Sequence, residues 1–381
     1  MCRCAVVVQF FSEADLAKFD IGFLGGGQLA RMSIQAAQRM GLRCVSLDPG
    51  EDTPASQIAA SIVGSLSDPA QIAELASLSD RVTLENEFIP ASSIRESGLD
   101  EAKIVPGVDA LATIQDKLLQ RQAMDRAGVP SPKAVELTEP EIAIHEIGFP
   151  MMIKSRFGGY DGKGTRLARN LEELEGFRDL WEPGGWLAEA FVPFKRELAA
   201  MVFIDANNRG AFPTMETVQT NHVCDLVFPS GVDASEVAIA AVEAVGGRGL
   251  FGVEMFESQS GEISINELAP RPHNTGHYTL DWGGVSQFEQ HVRLVMGYPL
   301  SSPVGQATCM ANLLGQTGAG DYRSAMPAAL DDPGVHFHWY GKVESKPGRK
   351  MGHLNVVGGE NLPERAKQAR DRFYGAWVSE G

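Results

Sequence analysis

The chain has 381 residues, 44% hydrophobic and 22% charged, a length for two or three domains of ~100–200 residues and a composition that excludes disordered and fibrous classes. Its 33 Lys and Arg against 49 Asp and Glu give a formal charge of −16. The overall field therefore repels polyanions and argues against nucleic-acid binding, while a local basic pocket for a small phosphate stays open. Cys2, Cys4, Cys44, Cys224 and Cys309 lack CxxC spacing, which indicates neither a disulfide framework nor a zinc site and fits a reducing cytoplasm. No apolar stretch approaches the ~20 residues that span a bilayer, so no membrane partner is expected.

Residues 1–18 read as an N-terminal extension, either an extra strand or the product of an upstream translation start; Ala5 to Phe11 is too short and too weakly flanked for a signal peptide. Ile21 to Leu24 predicts a strand, Gly25-Gly26-Gly27-Gln28-Leu29-Ala30 a glycine turn, and Leu29 to Met40 a helix. Further strands, Arg43 to Leu47 and Val82 to Leu84, end at Asp48 and at Glu85 and Glu87. This alternation predicts a Rossmann-like parallel sheet to about residue 112. The turn satisfies G-x-G-x-x-A, with Asp48 at the distance of a ribose-binding acid, which leaves a nicotinamide oxidoreductase as one reading.

The next region runs from Asp116 to about Leu300. After the strand Met151 to Lys154 comes Gly158-Gly159-Tyr160-Asp161-Gly162-Lys163-Gly164, whose glycines free backbone N–H groups to approach phosphate and whose neighbouring lysines, Lys154 and Lys163, supply charge. The spacing is not that of a P-loop, and a tight hairpin with solvated lysines is the plain alternative. From Ser301, short β-like runs at Met310 to Leu314, His336 to Tyr340 and His353 to Val357, then a polar helix from Pro363 to Arg372, predict a small β-rich cap.

Gly249 to Phe256 and Glu262 to Leu268 predict a hairpin around Ser258 to Gly261. With Glu257 facing Glu262, Glu254 faces Ile265, and period-two alternation brings Glu267 diagonally onto the face of Glu254. Two acids held together repel unless a cation lies between them, and oxygen-only ligation suits magnesium with a nucleotide supplying its other ligands. A solvent-facing pair of ordinary acids is the alternative. Ala269-Pro270-Arg271-Pro272-His273-Asn274-Thr275-Gly276-His277 follows directly and sets a guanidinium and two imidazoles beside the acids.

Lys117, Lys154, Gly158 to Gly164, Glu189-Ala190-Phe191-Val192, Glu254, Asn266 to Asn274, and Gly341-Lys342 to Gly348-Arg349-Lys350-Met351-Gly352-His353 together resemble the 5-(carboxyamino)imidazole ribonucleotide synthases, ATP-grasp enzymes of purine biosynthesis. The resemblance covers roughly residues 20 to 375. It implies an α/β (α+β) chain: a Rossmann-like domain at 19–112, an ATP-grasp domain at 113–300 and a C-terminal β-rich domain at 301–381. ATP would lie between two sheets, with Lys117 and Lys154 on its phosphates and Gly159, Tyr160, Asp161, Gly162, Lys163 and Gly164 as the loop over it. Glu189, Ala190, Phe191 and Val192 would be the hinge at adenine, Glu197 would bind ribose, and Asn266 and Glu267 would also be among the residues that bind the nucleotide. Glu254 and Glu267 would hold magnesium, with Mn2+ able to substitute.

The same resemblance places aminoimidazole ribonucleotide against Gln28, Glu85 or Glu87, Tyr160, Asp161, Lys163, Arg271, Lys342 and Arg349, and bicarbonate near His273 and Asn274. It makes Arg271, His273, Asn274 and Asp161 the catalytic set and implies a cytoplasmic homodimer. Two positions depart from the family pattern: Lys163, often arginine, and Gln219, often a histidine that contacts the nucleotide, for which His222 substitutes only if the local register shifts. The implied reaction phosphorylates bicarbonate to carboxyphosphate and transfers its carboxyl group to the exocyclic amine, with the glycine loop as a lid against water. A formate-activating glycinamide ribonucleotide formyltransferase is the nearest rival; His277 and Lys350-Met351-Gly352-His353 favour carboxylation.

Overall fold

A computed structural model describes residues 18–159, 164–180 and 184–377. The first unit contains β1 (Phe19–Leu24), α1 (Gln28–Arg39), β2 (Cys44–Asp48), β3 (Ala60–Val63), α2 (Pro69–Leu78), β4 (Ser79–Leu84), α3 (Ala91–Glu96), β5 (Ile104–Val105) and α4 (Val108–Gln115). Its strands form a parallel sheet ordered β3-β2-β1-β4-β5. Burial on both faces explains why β1 and β2 read as continuous apolar runs. Strand order reverses at β1, so the glycine turn, Glu85 and Glu87 gather at the carboxyl edge, where open α/β sheets place ligands.

Asp116 then caps α5 (Lys117–Ala127) by accepting from Leu118 and Leu119 N–H, and Gly128, at φ 67°, ends it in the left-handed region. β6 (Ala134–Glu136), α6 (Pro140–Glu146), β7 (Met151–Ser155), β8 (Thr165–Ala168), α7 (Leu171–Glu175) and β9 (Trp186–Ala190) follow. Their strands form an antiparallel sheet ordered β6-β9-β7-β8 over a small core of Leu137, Met151, Ile153, Leu174 and Ala188.

Phe191, Val192 and Pro193 connect this sheet to the larger one. That sheet contains β10 (Phe194–Ile204), β11 (Arg209–Ala211), β12 (Met215–Thr220) and β13 (Val223–Pro229), then, beyond α8 (Ser235–Ala244), β14 (Gly249–Ser258) and β15 (Ile263–Ala269). After α9 (Gln287–Met296) come β16 (Thr308–Leu314), α10 (Tyr322–Ala329), β17 (Val335–Trp339), β18 (Lys350–Val357) and α11 (Leu362–Ala376). The order is β15-β14-β10-β12-β13-β16-β18-β17, with β11 on β10, so the C-terminal strands extend the large sheet through the β13–β16 pairing. They also have their own core, in which Phe373 and Trp377 pack against Leu313, Leu354 and Val356.

The pieces are welded together. Ile21, Phe23 and Ile34 of the first unit share a core with Phe288 and Val292 of α9 and with Tyr340. His291 Nε2 lies 2.9 Å from Thr83 Oγ1, whose own proton goes to the Val105 carbonyl at 2.7 Å. No helix among the described residues is long and apolar enough to cross a membrane.

Candidate active site

The acidic hairpin forms, but in another register. Ile263, not Glu262, faces Glu257, and a bulge between Met255↔Ile265 and Glu254↔Glu267 leaves Asn266 as the extra residue. Glu254 and Glu267 are therefore directly opposite, not diagonal. The extra residue is accommodated from α5: Arg121 Nη2 donates to the Asn266 carbonyl at 2.6 Å, and Gln120 Oε1 accepts Leu268 N–H at 3.2 Å. A bulge lets a strand satisfy partners off its ladder while re-aiming a side chain, and here it aims Glu267 at its twin.

A cation of α5 meets this pair, and two more, from α5 and β7, gather on Glu189. Lys117, first residue of α5, places Nζ 2.8 Å from Glu267 Oε1. One turn on, Arg121 reaches Glu189 Oε2 at 2.7 Å, while Lys154 of β7 reaches Glu189 Oε1 at 2.5 Å. Burial works against the Glu189 carboxylate, but Arg121 and Lys154 outweigh it and hold it below its usual range. Burial depresses Lys154, and neighbouring Arg121 and Lys117 add to this. Three cations gathered against Glu267 and Glu189, with a third carboxylate, Glu254, opposite, form a charged cluster in which phosphate oxygens can replace the carboxylate partners of the cations. Among the described residues no group of three or more His, Cys, Asp or Glu could hold a metal alone; two facing carboxylates fit a hard cation completed by phosphate oxygens.

The glycine turn is occupied by protein. Gly26 N–H donates to Asp48 Oδ2 at 2.7 Å and Leu29 N–H to Glu85 Oε1 at 3.2 Å, and a Cβ on Gly27 would stand 2.3 Å from Glu85 Oε1. The amides a pyrophosphate would use are thus bonded to the chain's own carboxylates, which turns the nicotinamide reading aside. Gln28 opens α1 beside them. Burial raises the Glu85 carboxyl, opposed by Arg271 and by Lys342. Arg271 forms a two-pronged pair with Glu87, Nη2 to Oε1 at 2.8 Å, tying β15's far end to the first sheet. Burial opposes ionisation of Glu87 as well, yet Arg271 keeps it below its usual range. Lys342 Nζ donates to the Lys350 carbonyl at 2.7 Å and lies 5.7 Å from the Tyr340 ring centroid. Arg349 is exposed, with Nη1 donating to the Glu344 carbonyl at 2.9 Å.

His273 packs across β14 because residue 252 is glycine; a Cβ there would lie 2.5 Å from His273 Cβ. Its Nε2 stands 3.7 Å from Glu254 Oε1 and its Nδ1 2.9 Å from Thr275 Oγ1. Burial, reinforced by Arg271, Lys350 and His277, pushes it well below the usual imidazole range, so it is neutral. Asn274 turns elsewhere: its amide makes a reciprocal pair with Asn312, at 2.9 and 2.7 Å.

Glu197 on β10 is half-buried, raised by burial, and hydrogen-bonded to Gln219, with His222 in electrostatic reach. His222 and Asn221, at φ 64° and 51°, are the exposed two-residue turn joining β12 to β13. A bulge lies beside them, between Val218 and Gln219, and Gln219 is the residue on Glu197. Ala190 N–H bonds the Lys133 carbonyl at 2.9 Å, and Phe191 and Val192 lead directly into β10. Gly159 and Gly164 lie at the mouth of the β7–β8 hairpin, closed by Ser155 N–H to Gly164 O at 2.8 Å. Tyr160, Asp161, Gly162 and Lys163 fall outside the described residues, and with them the lid. Cys44, Cys224 and Cys309 are buried and free, their thiols pushed up to about 12 by burial, as inert cysteines are.

Sequence reasoning overlooked Arg121, although its i+4 spacing from Lys117 marks a shared helix face. It also overlooked Asn312 and Gln287, neither of which carries a motif.

Residues 18–115 match the ribonucleotide synthetase preATP-grasp domain, 122–288 the ATP-grasp domain and 308–368 the phosphoribosylaminoimidazole carboxylase C-terminal domain. An N5-carboxyaminoimidazole ribonucleotide synthase of Synechococcus elongatus is 39% identical over 369 residues, 92% of each chain. A longer phosphoribosylaminoimidazole carboxylase of Ogataea methanolica is 37% identical over 88% of this chain and 66% of its own. The crystal structure of N5-carboxyaminoimidazole synthase from Aspergillus clavatus with ADP and 5-aminoimidazole ribonucleotide superposes with TM-score 0.85 at 31% identity, covering 94% of this chain and 100% of that one. The chain is thus an ATP-grasp protein and a member of the N5-carboxyaminoimidazole ribonucleotide synthase family.

Proposed function

We propose that the chain carboxylates 5-aminoimidazole ribonucleotide at its exocyclic amine, using ATP and bicarbonate and releasing ADP and phosphate, as a step of purine synthesis. The observation that carries this reading is the facing Glu254–Glu267 pair with Lys117 2.8 Å from Glu267, on a chain of this family. Magnesium, held by Glu254 and Glu267, would offset charge on the phosphoryl oxygens. Lys117 and Lys154 exchange their carboxylate partners for phosphate oxygens, and Ala190 to Val192 present backbone to adenine beside Phe194. Glu197 receives the ribose.

A bicarbonate oxygen attacks the γ-phosphorus as its bond to the bridging oxygen breaks, giving carboxyphosphate and ADP. Neutral His273 donates Nε2–H to the bicarbonate oxygen, which orients it and stabilises developing charge. The amine then attacks the carboxyl carbon, or carbon dioxide released from it, and phosphate departs with the amine proton passing to phosphate or to Asp161. Arg271, Lys342, Arg349 and Lys163 bind the ribonucleotide's phosphate and ribose, with Gln28, Glu85, Glu87 and Tyr160 around the ring. Asn274 acts through its turn, since its amide is engaged by Asn312.

The reading includes a cytoplasmic homodimer; sedimentation of a monomer at assay concentration would remove the dimer. ADP release that needs both aminoimidazole ribonucleotide and bicarbonate supports the activity. ADP release with formate and glycinamide ribonucleotide instead overturns it.

A further inference from the structure

The turn bearing His273 is held from behind by Gln287, the first residue of α9, which is fully buried. Gln287 Oε1 accepts His273 N–H at 2.9 Å, while Nε2 donates to the His273 carbonyl at 2.8 Å and lies 2.8 Å from His277 Nδ1. The two backbone bonds fix the amide's orientation, because only its oxygen accepts and only its nitrogen donates; His277 Nδ1 must then be an acceptor. The amide is itself packed flat: a Cβ on Gly276 would lie 2.5 Å from Gln287 Oε1, and Gln287 N–H bonds Thr279 Oγ1 at 2.9 Å, whose proton goes to the Gly276 carbonyl at 2.6 Å.

At the other end, Thr275 N–H points to His273 Nδ1 at 3.5 Å, so that nitrogen accepts and the ring proton sits on Nε2, the atom 3.7 Å from Glu254. One side chain thus reaches both polar groups of the His273 backbone, whose carbonyl also accepts Gly276 N–H at 3.0 Å, and the ring is turned so that its donor faces the acidic pair. A group that must meet a reacting oxygen within about half an ångström depends on such support.

We propose that Gln287 is the positioning residue for His273: its carboxamide clamps the His273 backbone so that the imidazole Nε2–H is presented beside Glu254 to the bicarbonate. This rests on the reading above that places bicarbonate at His273. Gln287 acts on the carboxyl-forming chemistry and not on ATP binding, because its described contacts are with the histidine turn and α9 and none is with Lys117, Lys154, Glu189 or Glu267.

The test is a cycle of Gln287→Leu, His273→Ala and the double variant in the full-length protein, reading kcat, KM for ATP, and ADP formed per aminoimidazole ribonucleotide consumed. Each single variant should lose about tenfold or more in kcat with KM for ATP changed by less than about twofold, and ADP should exceed carboxylated product. The double variant should be no slower than His273→Ala alone, since one residue works through the other. A merely structural Gln287 would instead multiply its loss onto that of His273→Ala, and this outcome, or wild-type kcat in Gln287→Leu, overturns the proposal. Gln287→Glu keeps the size and the acceptor for His273 N–H but has no donor for the carbonyl or for His277; it supplies a folded comparison if leucine melts α9, and wild-type kcat there also overturns the proposal. Undiminished turnover in His273→Ala would overturn the bicarbonate reading itself, and the proposal with it. Loss in His273→Ala without loss in Gln287→Leu overturns the proposal alone.

Discussion

Glu254 and Glu267 stand directly opposite each other on neighbouring strands, and Lys117 rests 2.8 Å from the second of them. Like charges facing across a ladder cost free energy, so the pair is maintained against stability for what it binds.

Glu254→Gln and Glu267→Gln should each abolish turnover at ordinary magnesium and leave the far-ultraviolet spectrum intact. In Glu254→Gln the metal-free melting temperature should hold or rise, because repulsion is relieved and the Lys117–Glu267 pair remains. Full activity of either variant at saturating magnesium would refute the metal assignment.

Lys154→Met should slow phosphoryl transfer by ~10²–10³ and weaken ATP binding. Glu189 keeps Arg121 at 2.7 Å, so the fold should survive. Lys133→Met is the control: Lys133 pairs with Glu146 on an exposed face. Equal effects of the two substitutions would make the nucleotide role of Lys154 untenable.

Arg349→Ala and Lys342→Ala should raise KM for aminoimidazole ribonucleotide about ten- to a hundredfold, as expected for a charge-assisted contact of ~1.5–3 kcal/mol, and raise KM for ATP far less. The exposed setting of Arg349 leaves a solvated basic turn as the competing account. Titrating both substrates against each variant decides, and an unchanged constant for the ribonucleotide eliminates the site assignment.

His291, buried at the junction with Thr83, is lowered by burial to about 4 from 6.5. Because the folded value is the lower one, the unfolded chain binds more protons within that window. The contribution is complete above pH 6.5 and is lost as pH falls towards 4, by about 3 kcal/mol in all. Buried His273, His277 and His353 are lowered too, so the same sign applies. In denaturant titrations at a series of pH values, His291→Gln should lose stability with acid less steeply than wild type by about one proton. Identical slopes would remove His291 from the account.

Much of the fold was legible because its signals are local. Apolar runs bounded by glycine and acid gave β1, β2 and β7 within a residue or two and the end, but not the start, of β4, and alternation placed Glu254 and Glu267 on one face. The direct opposition of those acids was not legible, since the bulge at Asn266 depends on Arg121 and Gln120, well over a hundred residues earlier in the chain. The glycine turn misled for a related reason: G-x-G-x-x-A marks a close backbone approach but not what approaches, and here it is Glu85 from β4's end. Gln287 and Asn312 were invisible because a buried amide is defined by its partners, not by its spacing.

The central claim is that ATP's terminal phosphoryl group passes to bicarbonate before the amine is carboxylated. Turnover with 18O-labelled bicarbonate and mass analysis of the released phosphate tests it most directly. The account predicts one bicarbonate oxygen in each inorganic phosphate formed with aminoimidazole ribonucleotide present. Phosphate that carries no label, while carboxylated product accumulates, would contradict it.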